Sequence, residues 1–314
     1  MSKEIIIGTR DSKLALWQAH WVKYCLESLA LDYSFAIKPI KTTGDVRLET
    51  PLAQIGDKGL FTKELEIALL KGEIHMAVHS MKDLPTTLPE GLLLGAVCHR
   101  EMPNDVLVSR QGRKLKDLPP GAVIGTGSLR RRAQIAHLRP DLHIADIRGN
   151  LNTRLKKLDD GHYDAIMLAW AGMKRLGLVE QVTEVIPPGV CMPAVGQGAL
   201  GIEIPGENEM LHGIAIKLNH METRRAVEAE RVFLRLLEGG CRAPLGALGT
   251  ASMGRLLLEG VVAGLDGSKL LRASVVGKMD EATAVGERLV EKMIKLGALK
   301  LLEECRREIY EHDA

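Results

Sequence analysis

One cysteine, Cys241, stands in a segment that can present its thiol for chemistry. The two glycines before it, at 239 and 240, permit backbone angles closed to other residues and leave the thiol uncrowded. Pro244 and Gly246 keep the segment from becoming a helix or a central strand. A free cysteine is more often a small buried apolar residue. The hypothesis of a functional thiol at Cys241 therefore depends on the rest of the chain.

Arginines recur where a predicted strand meets a predicted helix. Thr126 and Ser128 stand directly before Arg130 and Arg131, and Arg10 has the matching place after the first predicted strand. Free N–H groups at a helix start and planar guanidinium groups both bind anions. The further arginines in such positions are Arg148, Arg154 and Arg175. Together they predict a site for a polyanion, although the run at 130–132 taken alone is also typical of a solvated helix face.

A carboxylate, Asp83, follows a predicted buried strand and precedes Leu84 and Pro85. We expect its side chain to point into a cleft, where a carboxylate can accept a proton or stabilise a developing cation. A turn or capping role is the alternative.

Two familiar motifs are incomplete. His75 and His79 have the spacing of a zinc-binding helix, but no Glu lies between them and the segment predicts a strand, where the rings would stand roughly 13 Å apart. A core or polar-contact role is favoured for both. The segment 125–130 lacks the last glycine of a dinucleotide fingerprint. The sequence therefore predicts neither a bound metal nor a bound dinucleotide.

Composition limits the classes of function. The chain has 314 residues, of which 46% are hydrophobic, with no apolar run long enough to cross a membrane and no signal-peptide pattern at its start. Five dispersed cysteines, an odd number without a CxxC pair, predict a reducing, cytoplasmic location. The net charge of +2 and the aromatic content of 3% argue against a general nucleic-acid surface.

Repeated patterns predict two related α/β lobes with mainly parallel sheets. A short strand at 5–7 precedes a helix whose apolar residues between Leu14 and Leu29, Trp17 included, are expected on one face. The same order returns at 122–138, and segment 72–78 resembles 161–167. Chain breakers near 99–104 and 193–198 predict two crossings, with a strand at 200–204 rejoining the first lobe. Paired crossings are typical of a hinged cleft.

The remainder of the chain predicts a small α+β domain with an antiparallel sheet. A helix over 222–237 leads to the Cys241 segment, and Asp266-Gly267 lies between two strands at 256–262 and 270–276, as in a hairpin. The predicted domains are 1–99 with 199–218, then 104–194, then 219–314.

In its ordered motifs, the chain resembles the porphobilinogen deaminases, also called hydroxymethylbilane synthases. The matching motifs lie along nearly the whole sequence: Gly8-Thr9-Arg10, Leu14 to Ala19, Thr43-Gly44-Asp45, Gly56 to Phe61, Val78 to Asp83, Gly127 to Arg131, Arg148-Gly149-Asn150, Thr153-Arg154-Leu155, Pro193 to Ala199 and Glu238 to Cys241. Motifs in this number and order are highly specific.

The resemblance implies a fold, a reaction and a set of site residues. The family has three domains, the first two similar to periplasmic binding proteins, and joins four porphobilinogen molecules head to tail, releasing ammonia and then hydroxymethylbilane by hydrolysis. By resemblance, Cys241 holds a dipyrromethane cofactor through a thioether, Asp83 is the catalytic carboxylate, and Lys58 and Phe61 belong to a lid. The implied cofactor- and substrate-binding residues are Arg10, Ser12, Gln18, Lys82, Thr126, Ser128, Arg130, Arg131, Arg148, Arg154 and Arg175. A monomer without a metal is implied as well.

Two other classes of protein stay open. A two-lobed protein could bind an anion with the same arginines and no chemistry, but such a protein gives no role to Cys241 in a separate domain. A nucleic-acid binder using the arginine run at 130–132 is the weaker alternative, because no stacking motif accompanies it.

Overall fold

The structure is a computed structural model that describes residues 3–43, 61–237 and 243–313. The expected positions of Cys241 and Lys58 lie outside these ranges. Two compact units divide the described chain: the first holds 3–43, 61–101 and 198–224, and the second holds 102–197, 225–237 and 243–313. The separation of residues 219–314 into a third domain stays a prediction.

Strands and α-helices alternate through most of the described chain. The strands are β1 (Lys3–Arg10), β2 (Tyr33–Ile40), β3 (Met76–Ser80), β4 (Leu92–Val97), β5 (Asp105–Ser109), β6 (Val123–Gly125), β7 (His143–Ala145), β8 (Ala165–Ala169), β9 (Glu184–Ile186), β10 (Leu200–Pro205), β11 (Leu245–Ser252), β12 (Arg255–Ala263) and β13 (Leu270–Lys278). The helices are α1 (Lys13–Glu27), α2 (Lys63–Leu70), α3 (Leu129–Leu138), α4 (Leu151–Asp159), α5 (Trp170–Arg175), α6 (Glu209–Ala215), α7 (Met221–Leu236), α8 (Ala282–Lys295) and α9 (Ala298–Asp313). No described helix has both the length and the apolar character needed to cross a bilayer.

Two five-stranded sheets share one plan. Their strand orders are β2-β1-β3-β10-β4 in the first unit and β7-β6-β8-β5-β9 in the second. In each sheet, three strands linked through helices pair in parallel, as β1 does with β2 and β3. The other two strands pair antiparallel, as β10 does with β3 and β4. The repeated order agrees with the two related lobes predicted from the sequence.

Both sheets are mixed, but four of the five strands in each run in one direction, in agreement with the expectation of mainly parallel sheets. In each sheet the strand that follows a crossing segment, β5 or β10, lies antiparallel to its neighbours. A chain that enters from the other unit has no crossover helix to set a parallel direction. The strand expected at 200–204 is confirmed in the first sheet. Just before it, Gly198 has a φ of +90°, and a Cβ there would meet the carbonyl oxygen of Glu101.

Helix α1 shows how local sequence builds the first unit. The Ser12 side chain caps it by accepting a hydrogen bond from the Ala15 N–H at 3.4 Å. Its buried face carries Ala15, Gln18, Ala19, Val22 and Leu26. The expected apolar face was therefore partly misplaced, since Trp17 is 37% exposed.

The last sheet is antiparallel in the order β11-β12-β13, and the predicted hairpin around Asp266-Gly267 is confirmed as β12 and β13. Phe233 of α7, Leu258 of β12 and Leu289 of α8 are all fully buried in one core. This sheet and its helices belong to the second unit, as do α3 and the strands around it.

Candidate active site

A pocket of the first unit opens where β1 and β3 end. These strands are parallel neighbours, so their carboxyl ends meet at one edge of the sheet, the usual place for ligands in α/β proteins. The pocket offers about 50 Å³ to the centres of water-sized molecules. It is lined by Arg10, Ser12, Leu14, Ala15, Gln18, Phe61, Thr62, Val78, His79, Ser80 and Asp83. Five residues singled out from the sequence, Arg10, Ser12, Gln18, Phe61 and Asp83, are thus brought together.

Side chains from separate elements fix the walls of this pocket. The Arg10 guanidinium lies 4.2 Å from the centre of the Phe61 ring, which is cation–π geometry. Gln18, buried on α1, donates to the Ser80 hydroxyl of β3 at 2.9 Å. The same pocket is therefore lined by a guanidinium group from β1, an amide group from α1 and a hydroxyl group from β3.

Asp83 reaches the pocket through a tight turn after β3. Its N–H donates to the Ser80 carbonyl oxygen at 2.9 Å, and its side chain is half-buried. Lys82, beside it, is exposed and is not among the residues that line this pocket. The position of Asp83 is that expected for a carboxylate facing a ligand.

The second unit repeats the strand-to-helix junction. Thr126 follows β6, and its hydroxyl accepts from the Ser128 N–H at 3.3 Å. Ser128 caps α3 by accepting from the Arg131 N–H at 3.5 Å. These hydroxyls stabilise the start of α3, as Ser12 does for α1.

Arg130 and Arg131 are buried and share one carboxylate. Arg130 Nη1 lies 2.6 Å from Asp105 Oδ2, and Arg131 Nη2 lies 2.6 Å from Oδ1 of the same residue. Burial by itself raises the pKa of Asp105, but the two guanidinium groups outweigh it and hold that pKa far below its usual range. The solvated-face interpretation of this run is thus wrong for Arg130 and Arg131. Arg131 Nε is buried with no hydrogen-bond partner in the described chain.

The Asp105 cluster also forms hydrogen bonds with residues 191–197, which overlap one of the two predicted crossings. Gln197 donates through Nε2 to Asp105 Oδ1 at 2.9 Å and to the Pro103 carbonyl at 2.6 Å. Arg130 Nη1 donates to the Met192 carbonyl at 2.6 Å. One buried carboxylate therefore fixes the start of α3 against residues 191–197.

The remaining predicted arginines are more accessible. Arg148 Nε lies 2.9 Å from Asp146 Oδ2, and Arg154 Nε donates to the Gly149 carbonyl at 2.9 Å. Arg175 is half-buried at the end of α5. These guanidinium groups are better placed than Arg130 and Arg131 to meet an anion arriving from solvent.

The elements on either side of the Cys241 segment are held firmly. Strand β11 passes so close to α3 that a Cβ at Gly246 would lie 3.0 Å from Arg130 Cδ and 2.6 Å from the Pro193 carbonyl oxygen. Glu230 of α7, fully buried, accepts from the Gly196 and Gly249 N–H groups, each at 2.7 Å. Strand β11, which follows Cys241 in the chain, therefore packs against Arg130, and α7, which precedes it, is tied to Gly196 and Gly249 through Glu230.

The four described cysteines, Cys25, Cys98, Cys191 and Cys305, are free thiols. Burial raises the pKa of Cys25 and of Cys305. Burial, with nearby Asp105, raises that of Cys191 to about 12. Because the thiolate is the nucleophile, these three are poor nucleophiles at neutral pH.

Asp105, Glu230 and Glu203 were not identified from the sequence, whereas the core or polar-contact role expected of His79 is confirmed by its buried hydrogen bond to Glu203. The available signal was an acidic residue beside or within an apolar run, as in Asp105 before Val106 and in Glu203 between Ile202 and Ile204. Such acids are almost never buried unless they are paired. In the described part of the chain, no group of three or more His, Cys, Asp or Glu is arranged to hold a metal ion.

The chain is an α/β protein that has, in its first unit, a pocket lined by Arg10 and Asp83 and, in its second, two buried arginines that share one carboxylate. Comparison with known proteins gives the family. The family model described as "Porphobilinogen deaminase, dipyromethane cofactor binding domain" matches residues 5–212, and "Porphobilinogen deaminase, C-terminal domain" matches residues 224–295. The chain belongs to the porphobilinogen deaminase family, and the resemblance seen in its motifs is confirmed.

Curated relatives match over almost their whole length. The "Porphobilinogen deaminase" of Pelotomaculum thermopropionicum is 55% identical over 308 residues, covering 98% of this chain and 99% of that protein. That of Desulforudis audaxviator is 55% identical over 306 residues, with 98% and 99% covered. Among solved structures, an ancestral cationic amino acid solute binding protein is similar at 15% identity and a TM-score of 0.44, over 68% of this chain and 87% of that one. A similarity at that level adds nothing to the assignment.

Proposed function

We propose that this chain is the transferase that joins four porphobilinogen molecules head to tail on a dipyrromethane primer and then releases hydroxymethylbilane by hydrolysis. Family membership defines this reaction class. The observation that carries the proposal for this chain is that Asp83 and Arg10 line the same pocket.

Asp83 serves as the catalytic carboxylate. When ammonia leaves porphobilinogen, the electron pair of the broken C–N bond goes with the nitrogen, and the remaining pyrrole carries positive charge. A fixed carboxylate stabilises that charge and can accept hydrogen bonds from pyrrole N–H groups. The turn that ties the Asp83 N–H to Ser80 holds the group in place, so little reorganisation is needed during the reaction.

The basic residues bind the carboxylates of the growing chain. Every pyrrole carries an acetate and a propionate, so each addition increases the negative charge. Arg10, Arg148, Arg154 and Arg175 take direct contacts, supported by Ser12, Gln18, Lys82, Thr126 and Ser128. Arg130 and Arg131 have one carboxylate between two cations, and the unpartnered Nε of Arg131 suits a further anion. Lys58 and Phe61 act in a lid, as the family pattern implies.

Cys241 anchors the primer, which would supply a covalently held pyrrole as the acceptor for the first substrate. A tether makes each later addition effectively intramolecular. Support comes from the buried state of other thiols and from the anchored elements before and after Cys241. We further propose a monomer acting in the cytoplasm, in keeping with the free thiols of the described cysteines.

The test is turnover of porphobilinogen by the purified chain. The proposal expects one ammonia released per porphobilinogen consumed, with hydroxymethylbilane as the product. Binding of porphobilinogen without release of ammonia would favour the non-catalytic anion-binding protein instead.

A further inference from the structure

A buried histidine lines the pocket that holds Asp83. His79 of β3 is 4% exposed, and its Nε2 lies 2.9 Å from Glu203 Oε2 on the neighbouring strand β10. Nδ1 has no hydrogen-bond partner in the part of the chain that the structure describes. One ring nitrogen is therefore committed to Glu203, and the other is available to a molecule in the pocket.

Glu203 is a buried carboxylate, which a nearby cation would stabilise. Its side chain has no exposure, and its Oε1 has no hydrogen-bond partner among the described residues. Glu66 of α2 lies nearby, and burial raises its pKa, with the charge of Glu203 adding to the shift. A buried carboxylate without a counter-charge is costly. His79 is the basic group in contact with Glu203, with its Nε2 at 2.9 Å from Glu203 Oε2.

We propose that His79 is a further substrate-binding residue, which donates its Nδ1–H to one carboxylate of porphobilinogen while Glu203 binds its Nε2. Glu203 acts as a positioning residue, because the hydrogen bond to Nε2 fixes the orientation of the ring. This inference rests on the proposed function and adds a further hydrogen-bond donor to the side chains, Arg10 among them, that line the pocket.

Thr62 lines the pocket together with His79. Its buried Oγ1 has no partner that meets the geometric limits of a hydrogen bond among the described residues. Buried polar atoms normally have partners. The lining therefore offers polar groups of Thr62 and His79 to a ligand.

The experiment pairs substrate analogues with variants. Two porphobilinogen analogues are used as inhibitors of turnover, one with the acetate carboxylate and one with the propionate carboxylate replaced by a neutral amide. For the wild type, one analogue should bind at least about tenfold more weakly than the unchanged carboxylate compound, because a charge-assisted hydrogen bond is lost. In H79Q and in E203Q, that preference should shrink toward one.

H75Q is the matched control, since His75 lies just before β3, accepts from the Ile6 N–H at 2.8 Å and is not among the pocket residues. It should keep the wild-type preference. If H79Q does not fold, E203Q decides, because glutamine still accepts from Nε2 but carries no charge. An unchanged preference in the variants, with normal wild-type turnover, would overturn the role of His79 alone. A wild type that does not consume porphobilinogen would overturn the proposed function as well.

Discussion

Replacing Asp105 with Asn tests whether the buried arginines depend on one carboxylate. In the native structure Asp105 has no exposed surface and accepts from Arg130, Arg131 and Gln197. Asn keeps one acceptor oxygen, but its NH2 group faces a guanidinium donor and the compensating charge is lost. Breaking a buried ion pair from one side costs about 3–5 kcal/mol. We expect D105N to lose about that much free energy of unfolding.

The assay is urea unfolding followed by circular dichroism, with the midpoint and slope compared between variants. The matched control is E73Q, which removes the exposed pair of Glu73 and Lys38, 3.3 Å apart. An exposed pair of this kind contributes about 0–1 kcal/mol. The reasoning is refuted if D105N shifts the midpoint no more than E73Q does.

Three further predictions follow from the same contacts. D83N should keep the covalent cofactor but slow condensation by about 100-fold or more, as expected for loss of a catalytic carboxylate. The control is D32N, at an exposed position. Near-normal ammonia release by D83N would remove Asp83 from the mechanism. R148L should lower kcat/KM for porphobilinogen about tenfold or more, because a charge-assisted hydrogen bond is lost. R110L, at an exposed arginine, should leave kcat/KM unchanged. Equal kcat/KM values for the two variants would mean that Arg148 is only a surface charge. E66Q should be more stable than the wild type at neutral pH, because the raised pKa of Glu66 makes its charged form costly in the folded state. The difference should disappear below the ordinary value of 4.5, and a constant difference in thermal midpoint across that range would contradict it.

Local pattern predicted much of the fold. Helix α3 was expected over Leu129 to Leu138 and has those bounds, because Ser128 caps it and a glycine-rich turn precedes it. The hairpin of β12 and β13 followed from Asp266-Gly267 between two apolar runs. The direction of β5 and β10 was not predictable in this way, since it depends on how the chain returns from the other unit.

In the candidate site, too, residues could be predicted where local sequence was enough and not where a distant partner decides. Arg10 and Asp83 were identifiable because their residue type and position after a strand indicate a ligand edge, whereas Gln18, within α1, followed only from the family resemblance. The state of Arg130 and Arg131 was not, because their partner Asp105 stands 25 and 26 residues away in sequence. Only the packing of β5 against α3 brings these charges together. His79 was given a core or polar-contact role, and its contact with Glu203 spans 124 residues.

The intact mass of the purified protein after incubation with porphobilinogen, with peptide mapping around Cys241, tests whether Cys241 anchors a dipyrromethane. We expect added mass equal to two linked pyrroles on the Cys241 peptide, and none on the peptides of Cys98 or Cys191. A C241S variant measured alongside should show no added mass. A Cys241 peptide that stays unmodified under these conditions would contradict the anchor and favour an anion-binding protein without this chemistry.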